Sequence, residues 1–569
     1  MTENVSPEWW RRAAIYQVYV RSFADGNGDG VGDLAGIRAR LPYLHDLGVD
    51  AIWFNPWYPS PMADAGYDVS DYRDIDPVFG TLAEAEALIA DAHRLGMRII
   101  VDIVPNHCSD EHPWFREAVQ AGAGSAAREL FWIRDGRGID GAEPPNNWSS
   151  IFGGPAWTRL PDGQWYLHLF APQQPDFNWD NPKVREEFED VLRFWFNRGA
   201  DGVRIDSAAV VVKDPELADF DPDAPPVPHP YTDRDEVHGI YRGWRTVADG
   251  YPDRRALIGE IWLPDAERFA RYLGPGELHT AFNFDFLACP WDGPTLRACI
   301  DATLAVHAPV DAPATWVLSN HDVTRHVTRY GRADTSFEHA TRRHLHGRPT
   351  DVALGTRRAR AAVLLAFALP GSVYVYQGEE LGLGEVEDIP IELRQDPIVR
   401  RTNGSDPGRD GCRVPLPWSG DDAPFGFSPP DATGEPWLPQ PASWRDYTVE
   451  AQQGRPDSML ELYRSALHLR RSRPDLGDAP LAWLDAPPGV LAFTRGRPTR
   501  DPTAPRWPTR DPTAPRWPTR DPTAPPSAFT CVVNLSPEPV AVPAGTPLLS
   551  SHSLPDRLLP PDAAVWLQT

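Results

Sequence analysis

The sequence predicts an α/β protein built on a (β/α)8 TIM barrel, with a subdomain inserted after strand 3, a smaller insertion after strand 8, and a C-terminal antiparallel β-sandwich domain. Three observations carry this prediction. Short apolar segments alternate with amphipathic helical segments along most of the chain, eight of the apolar segments have the character of buried strands, and the alternation stops near residue 481. A chain of 569 residues is also too long for one compact core.

The clearest helix–strand unit lies at residues 81–104, where TLAEAEALIADAHRLGM has helical spacing and is followed by the β-branched run RIIVDIV. Parallel strands that close into a barrel carry their reactive side chains at the carboxyl ends, so polar residues at those ends are the candidates for chemistry. The predicted barrel strands are residues 15–20, 51–55, 98–103, 202–205, 257–261, 281–284, 315–319 and 372–376.

Two stretches rich in Gly and Pro interrupt the alternation, and we expect both to cap the mouth of the barrel. Beyond the barrel, alternating segments indicate an antiparallel domain. The predicted units are the barrel at 1–105 and 182–480, the inserted domain at 106–181, the insertion after strand 8 at 384–445, and the β domain at 481–569.

The unit PTRDPTAP occurs three times at a ten-residue period, beginning at Pro498, Pro508 and Pro518. Proline this dense cannot lie in a central strand. We therefore predict that residues 498–526 form an exposed polyproline-like or disordered loop between two strands, with a docking element as the alternative.

Composition excludes several classes of function. The formal net charge of -25 repels polyanions, so we expect a neutral small molecule as the substrate and no nucleic acid. No apolar run of about 18 residues is present and the first residues lack a signal-peptide pattern, which predicts a cytoplasmic protein outside the membrane. Five cysteines without CxxC spacing argue against a disulfide framework or a thiolate zinc site.

Polar motifs end four of the predicted strands, and those of strands 4, 5 and 7 carry the candidate catalytic carboxylates. Strand 3 ends in DIVPNH, strand 4 in GVRIDSA, strand 5 in GEIW and strand 7 in LSNHD. Asp206, Glu260 and Asp322 therefore converge on one pocket, together with Arg204 and His321. Acidic residues this close raise each other's proton affinity unless a cation intervenes.

One ionised and one protonated carboxyl group is the pair that glycoside hydrolysis requires. We expect Arg204 to keep Asp206 ionised as the nucleophile. Glu260 has no charge partner in the sequence pattern, so we expect it to retain its proton and act as general acid and base. Asp322 and His321 are predicted to hold ring hydroxyls of the sugar.

With these motifs the sequence resembles the α-amylase superfamily, glycoside hydrolase family thirteen, and within it bacterial α-glucosidases and oligo-1,6-glucosidases. The segments QPDFN, GVDAIWFNPWYPSP and GSVYVYQGEELGL are similar to accessory regions of that family. The resemblance covers nearly the whole chain and implies a retaining double displacement with an inserted domain after strand 3.

The resemblance also implies residues that bind the terminal glucose. Tyr67 resembles the residue that stacks on the ring, Asp68 the residue that grips its 4-hydroxyl and 6-hydroxyl, and Arg409 the arginine that closes the pocket with Asp68. These features imply a dead-end pocket and exo attack from the non-reducing end. The other implied binding residues are His107, Phe152 and Phe170.

The segment DGNGDGVGD places oxygen ligands at every second position with glycines between them, which is the local pattern of a calcium loop. It resembles the metal loop of oligo-1,6-glucosidases and predicts a structural Ca²⁺, with a metal-free turn as the alternative. No organic cofactor is expected. The predicted ligands are Asp25, Asn27, Asp29, the Val31 carbonyl and Asp33.

The bond that is cut is predicted from one residue. In the family, Val after the nucleophile is typical of α-1,6 enzymes and Thr or a small residue of α-1,4 enzymes, so Ser207 favours maltose and short malto-oligosaccharides. The alternatives are an isomaltase, a transglucosylase or trehalose synthase on the same scaffold, and a non-catalytic amylase-like transporter subunit. The sequence does not predict the oligomeric state.

Overall fold

The computed structural model describes residues 8–338, 345–496 and 529–569. Its largest sheet has eight parallel strands and confirms the predicted barrel. The last barrel strand pairs with the first and with the seventh, so the sheet curves back on itself. The strands are Ala14–Val18, Ala51–Phe54, Arg98–Ile103, Gly202–Ile205, Ala256–Gly259, Thr280–Ala281, Thr315–Trp316 and Ser372–Tyr376.

The sixth and seventh barrel strands are not paired with each other in the sheet, and side-chain hydrogen bonds connect them instead. The Thr315 hydroxyl donates to the Ala281 carbonyl at 2.7 Å and accepts the backbone N–H of Asn283 at 3.0 Å. Both strands are two residues long, and the sixth is followed at once by the short helix Phe284–Ala288, whose N-cap Asn283 accepts the N–H of Phe286. The predicted strand at 281–284 is therefore shorter than expected.

Helices pack around the barrel and begin where the sequence supplies caps. Thr81 and Glu84 form a capping box at the start of Leu82–Arg94, and Gly48, at φ 98°, ends Leu34–Leu47 in the left-handed conformation. The remaining described helices of this part are Val20–Phe23, Pro182–Asn197, Val237–Asp249, Ala266–Arg271, Gly293–His307, His326–Tyr330, Val352–Ala368, Val449–Gln452 and Met459–Ser472.

The segment after the third barrel strand contains the helix Pro113–Ala121 and a three-stranded antiparallel sheet. Tryptophans 132, 148 and 157 form its small core. The segment after the eighth barrel strand, 384–445, contains the helix Pro397–Arg401 and short 3-10 turns but no strand. The strands of the antiparallel sheet are Ile133–Asp135, Trp157–Arg159 and Gln164–Leu167.

The C-terminal region contains a five-stranded antiparallel sheet and a separate two-stranded sheet. The large sheet packs on the barrel helix Val352–Ala368, where Trp566 Nε1 donates to the Leu364 carbonyl at 2.9 Å. The strands of the larger sheet are Leu481–Trp483, Val490–Arg495, Phe529–Asn534, Thr546–Ser550 and Ala563–Gln568, and those of the smaller are Val540–Ala541 and Leu558–Leu559.

The proline-rich repeat at 498–526 lies outside the described residues. The two strands on either side of it are antiparallel neighbours, with Arg495 opposite Phe529. The repeat therefore joins adjacent strands of one sheet. In the described part of the chain, no helix is both long enough and apolar enough to cross a membrane.

Candidate active site

A pocket of about 500 Å³ opens at the carboxyl ends of the barrel strands, where the fold places reactive groups. The three predicted catalytic carboxylates all line it, and so do most of the predicted binding residues. The predicted residues in its wall are Tyr67, His107, Phe152, Phe170, Asp206, Ser207, Glu260, His321, Asp322 and Arg409.

Arg204 lies beneath the pocket and joins three carboxylates. Its Nη1 donates to Asp206 Oδ1 at 2.8 Å and to Asp102 Oδ1 at 2.9 Å, and its Nη2 donates to Glu260 Oε2 at 2.6 Å. The guanidinium is almost fully buried. Because neighbouring nitrogens of one planar fork hold Asp206 and Glu260, the two carboxyl groups stay close together. We name Arg204, Asp102, Asp206 and Glu260 the Arg204 cluster.

The prediction that Glu260 has no charge partner is wrong. In the barrel sheet Arg204 lies opposite Ile258, two residues before Glu260 on the neighbouring strand. Its guanidinium therefore contacts Glu260 as well as Asp206. Arg204 therefore does not single out Asp206 for ionisation, because it is shared between both reacting groups.

Three carboxylates on one arginine leave the Arg204 cluster short of positive charge. Burial raises the pKa of Asp206 well above its ordinary value; Arg204 opposes this shift, whereas Glu260 and Asp102 add to it. Burial also raises the pKa of Asp102 to about 7, against the pull of Arg204. Groups this close exchange protons as one system, so the cluster can hold and move a proton near neutral pH.

Arg409 forms a second cluster at the pocket wall. It donates to Asp64 at 2.8 Å and Asp322 at 3.1 Å, and it contacts both oxygens of Asp396. A second arginine, Arg413, donates to Asp322 at 2.9 Å. We name these five residues the Arg409 cluster.

Two of the three carboxylates of the Arg409 cluster have the opposite electrostatics; at the third, Asp64, burial raises the pKa against the pull of Arg409. Burial by itself would raise the pKa of Asp322, but His321 and the guanidinium groups of Arg409 and Arg413 outweigh it and hold that pKa well below the ordinary range. The same two arginines overcome burial at Asp396 and keep its pKa low. Asp322 is therefore ionised near neutral pH.

The structure corrects the prediction for Asp68. This side chain is fully buried and accepts the Ser60 hydroxyl at 2.9 Å and the backbone N–H groups of Ala63 and Asp64 at 2.8 and 2.9 Å. It does not line the pocket, whereas Asp64 does and pairs with Arg409. Asp68 thus organises the loop, and Asp64, not Asp68, is the carboxylate that lines the pocket beside Arg409.

Tyr67 and His321 form a flat wall, with ring centroids 5.5 Å apart and planes 5° from parallel. The Tyr67 hydroxyl lies 2.7 Å from His321 Nε2. Burial lowers the pKa of His321 well below its ordinary value and that of His107 to about 3, so both imidazoles are neutral. Neutral rings offer hydrogen bonds to hydroxyl groups without adding charge.

Sequence reasoning missed several pocket residues. Trp262 lies in the GEIW motif itself, two residues after Glu260, and its signal was the aromatic side chain at a strand end. Others come from the insertion after the eighth strand, whose irregular backbone no periodicity predicts. The additional lining residues are Asp64, Ile151, Gly153, Ala209, Val210, Thr232, Trp262, Ile398, Thr402 and Asp406.

The predicted metal loop holds itself through its own backbone. Both oxygens of Asp25 accept N–H groups of the loop, and Asp33 accepts three N–H groups while capping the helix Leu34–Leu47. Asn27 and Asp29 each accept the N–H two residues on. Among the described residues, no group of three or more His, Cys, Asp or Glu side chains is arranged to hold a metal ion. The Ca²⁺ site stays a prediction.

The barrel and its paired carboxylates define a glycosidase, and comparisons with known proteins give the family. The model of the alpha-amylase catalytic domain matches residues 17–478, and the chain belongs to this family of glycoside hydrolases. It is 39% identical over 517 residues to a probable alpha-glucosidase of Rhizobium meliloti (strain 1021), a match that covers 86% of this chain and 87% of that protein.

Two further relatives show the range of the family around this chain. An oligo-1,6-glucosidase of Parageobacillus thermoglucosidasius is 34% identical over 503 residues, covering 81% of this chain and 84% of that protein. The crystal structure of an alpha-glucosyl transfer enzyme, XgtA, superposes with a TM-score of 0.80 at 35% identity and covers 98% of this chain and 99% of that one.

Proposed function

We propose that this protein is a retaining, exo-acting α-glucosidase that releases terminal glucose from the non-reducing end of maltose and short malto-oligosaccharides. The observation that carries the proposal is the shared guanidinium of Arg204, which holds Asp206 and Glu260 side by side at the pocket. Retention requires carboxyl groups about 5–5.5 Å apart, whereas inversion needs room for a water molecule between them and the sugar.

In the proposed reaction, Asp206 attacks the anomeric carbon while Glu260 gives its proton to the leaving oxygen. The bond to the leaving sugar breaks as the ester to Asp206 forms. Glu260, now ionised, then takes a proton from water, whose oxygen displaces Asp206 and restores the α configuration. Asp322 holds ring hydroxyls in both steps, because its charge is fixed by Arg409 and Arg413.

The charge of the pocket supports a neutral substrate. Five carboxylates line it, and Arg409, the arginine in its wall, already contacts three carboxylates. A phosphorylated or otherwise anionic sugar would meet uncompensated negative charge. Neutral glucosides fit this environment, and Asp64 with Arg409 closes the wall beside Asp322, which supports attack on a terminal unit.

Ser207 supports α-1,4 specificity, since a small side chain follows the nucleophile and lines the pocket. Hydrolysis of α-1,6 bonds and glucosyl transfer are the alternatives. The test includes both, because the relatives named above include an oligo-1,6-glucosidase and an alpha-glucosyl transfer enzyme. Purified protein is given maltose, maltotriose, isomaltose, sucrose and trehalose, with products separated at low and high substrate concentration. We expect glucose from maltose first. Faster turnover of isomaltose, or oligosaccharides or trehalose as the main product, would contradict the proposal.

A further inference from the structure

Trp262 is the indole that contacts Glu260, and the proposed function assigns it no part. Its Nε1 lies 3.2 Å from Glu260 Oε1 and donates to that oxygen. The other carboxylate oxygen, Oε2, accepts Arg204 at 2.6 Å and the backbone N–H of Ser207 at 2.9 Å. Three N–H groups therefore donate to one carboxyl group, two of them to Oε2 and one to Oε1.

The two oxygens of Glu260 must have different roles. With two N–H donors at hydrogen-bonding distance, Oε2 has no lone pair left for a proton. The proton that leaves with the aglycone oxygen is therefore carried on Oε1, the oxygen that Trp262 contacts. The indole N–H can only donate, so its hydrogen bond to Oε1 becomes stronger when the carboxyl group loses its proton and becomes negatively charged.

A stacked ring holds the indole in this place. Trp262 and Phe284 have centroids 3.6 Å apart and planes 8° from parallel. Phe284 is the first residue of the short helix that Asn283 caps, so the cap fixes the ring that supports the indole. A cavity of about 300 Å³ lies beside both rings, and Phe282 also packs on Phe284, with ring centroids 5.9 Å apart.

Ser207 completes the arrangement through its backbone. This residue has φ 47°, a left-handed conformation that a residue with a side chain adopts at some cost. In that conformation its N–H points at Glu260 Oε2. The strained backbone of Ser207 is consistent with a local structure that directs this N–H toward Glu260.

We propose that Trp262 is a positioning residue for the general acid: its indole N–H fixes Glu260 Oε1 and favours the ionised carboxylate as the proton leaves. This inference rests on the proposed function. Loss of the N–H should slow reactions that need full protonation of the leaving group, and it should matter little for a leaving group that departs as a stable anion.

The test compares Trp262→Phe, which keeps a ring for stacking but removes the N–H, with Phe284→Leu, which keeps the N–H but removes the stacked ring. For Trp262→Phe we expect kcat/KM on maltose to fall about tenfold, and on 4-nitrophenyl α-glucoside less than about threefold. Since the variant destabilises the carboxylate, the alkaline limb of its kcat/KM–pH profile on maltose should move to higher pH. Phe284→Leu should show the same pattern with a smaller loss.

Equal losses on both substrates with an unchanged pH profile would overturn the inference and leave Trp262 a structural residue. If Trp262→Phe unfolds, 3-benzothienylalanine at position 262 replaces the N–H by sulfur in a ring of the same shape, and the same expectations apply. A wild-type protein that hydrolyses neither substrate would instead refute the proposed function, so the two failures are distinguishable.

Discussion

The Arg204 cluster and the Arg409 cluster each gather three carboxylates, yet they behave in opposite ways. One arginine serves Asp102, Asp206 and Glu260, and there burial raises the pKa of Asp206 and Asp102. In the other cluster Arg413 assists Arg409, and the pKa of Asp322 is held low. His321 and a second guanidinium, that of Arg413, accompany the low pKa of Asp322, whereas burial raises the pKa of Asp64, the third carboxylate of that cluster.

This difference matches the two tasks of the pocket. A double displacement needs a proton that moves between Glu260 and the leaving oxygen, so its cluster must be short of cations. Holding sugar hydroxyls needs an acceptor that stays ionised, and Asp322 has two arginines beside it. The account therefore predicts that damage to the first cluster lowers kcat and that damage to the second raises KM.

The largest effect is expected at Asp206. Asp206→Asn removes the nucleophile while keeping the size of the side chain, and kcat on maltose should fall by roughly four orders of magnitude. Glu260→Gln should cost about 10²–10⁴-fold. Steady-state kinetics with circular dichroism as a control for folding measures both. Residual activity above about a hundredth of wild type in Asp206→Asn would place the nucleophile elsewhere.

Arg204→Lys compares the two clusters directly. Lysine keeps the charge but loses the fork that holds Asp206 and Glu260 together, so kcat should fall roughly 10²-fold. Arg409→Lys should instead raise KM for maltose with a smaller change in kcat. If both substitutions lower kcat alike and leave KM unchanged, the clusters do not divide reaction from binding.

The next prediction sharpens the assignment inside the Arg409 cluster. Asp64→Asn weakens a charge-assisted contact at the pocket wall and should raise KM for maltose about 10- to 100-fold. Asp68→Asn, four residues away, should lower the unfolding temperature with a smaller change in KM, since Asp68 bonds to its own loop. A larger KM effect at Asp68 would restore the assignment based on sequence.

The pH profile tests the shortage of cations around Arg204. Asp206 must be ionised to attack, and because burial raises its pKa, activity should fall as the pH drops through that raised value. Asp102→Asn removes a like charge and leaves Arg204 freer to favour Asp206. The acid limb of kcat/KM should therefore move to lower pH, while Asp396→Asn should leave it in place. An unmoved limb in Asp102→Asn would contradict the account.

The smallest effect concerns the predicted calcium loop at 25–33, none of whose residues lines the pocket. We expect one Ca²⁺ per chain by elemental analysis and a lower unfolding temperature after chelation. The kcat on maltose at a temperature well below unfolding should hardly change. Protein without metal and without any change after chelation would show that the loop is stabilised by its backbone bonds alone.

Much of the fold and of the candidate site could be predicted, because short sequence patterns indicate both the barrel strands and the polar side chains at their ends. The eight barrel strands, and the side chains of Asp206, Glu260 and Asp322, follow from periodicity and motif order. The partner of Glu260 could not be predicted, since it depends on strand register and on the reach of a guanidinium. Asp64 was missed because left-handed residues at Ala65 and Gly66 turn the chain, and no side-chain periodicity indicates such a turn.

The insertion after the eighth strand shows a second limit. Asp396, Arg409 and Arg413 come together only through irregular backbone between residues 384 and 445, where no period applies. Of these, sequence comparison with a known family suggested Arg409 alone. The second arginine, on which the contrast between the two clusters rests, is apparent only in three dimensions.

The most direct measurement is a covalent trap. The protein is incubated with 5-fluoro-α-D-glucopyranosyl fluoride, whose good leaving group lets the glucosyl–enzyme form while the ring fluorine slows its hydrolysis, and the digested product is mapped by mass spectrometry. The account predicts one fluoroglucosyl group, attached to Asp206 and missing in Asp206→Asn. An active enzyme that shows no adduct, or an adduct on another residue such as Asp102 or Glu260, would contradict it.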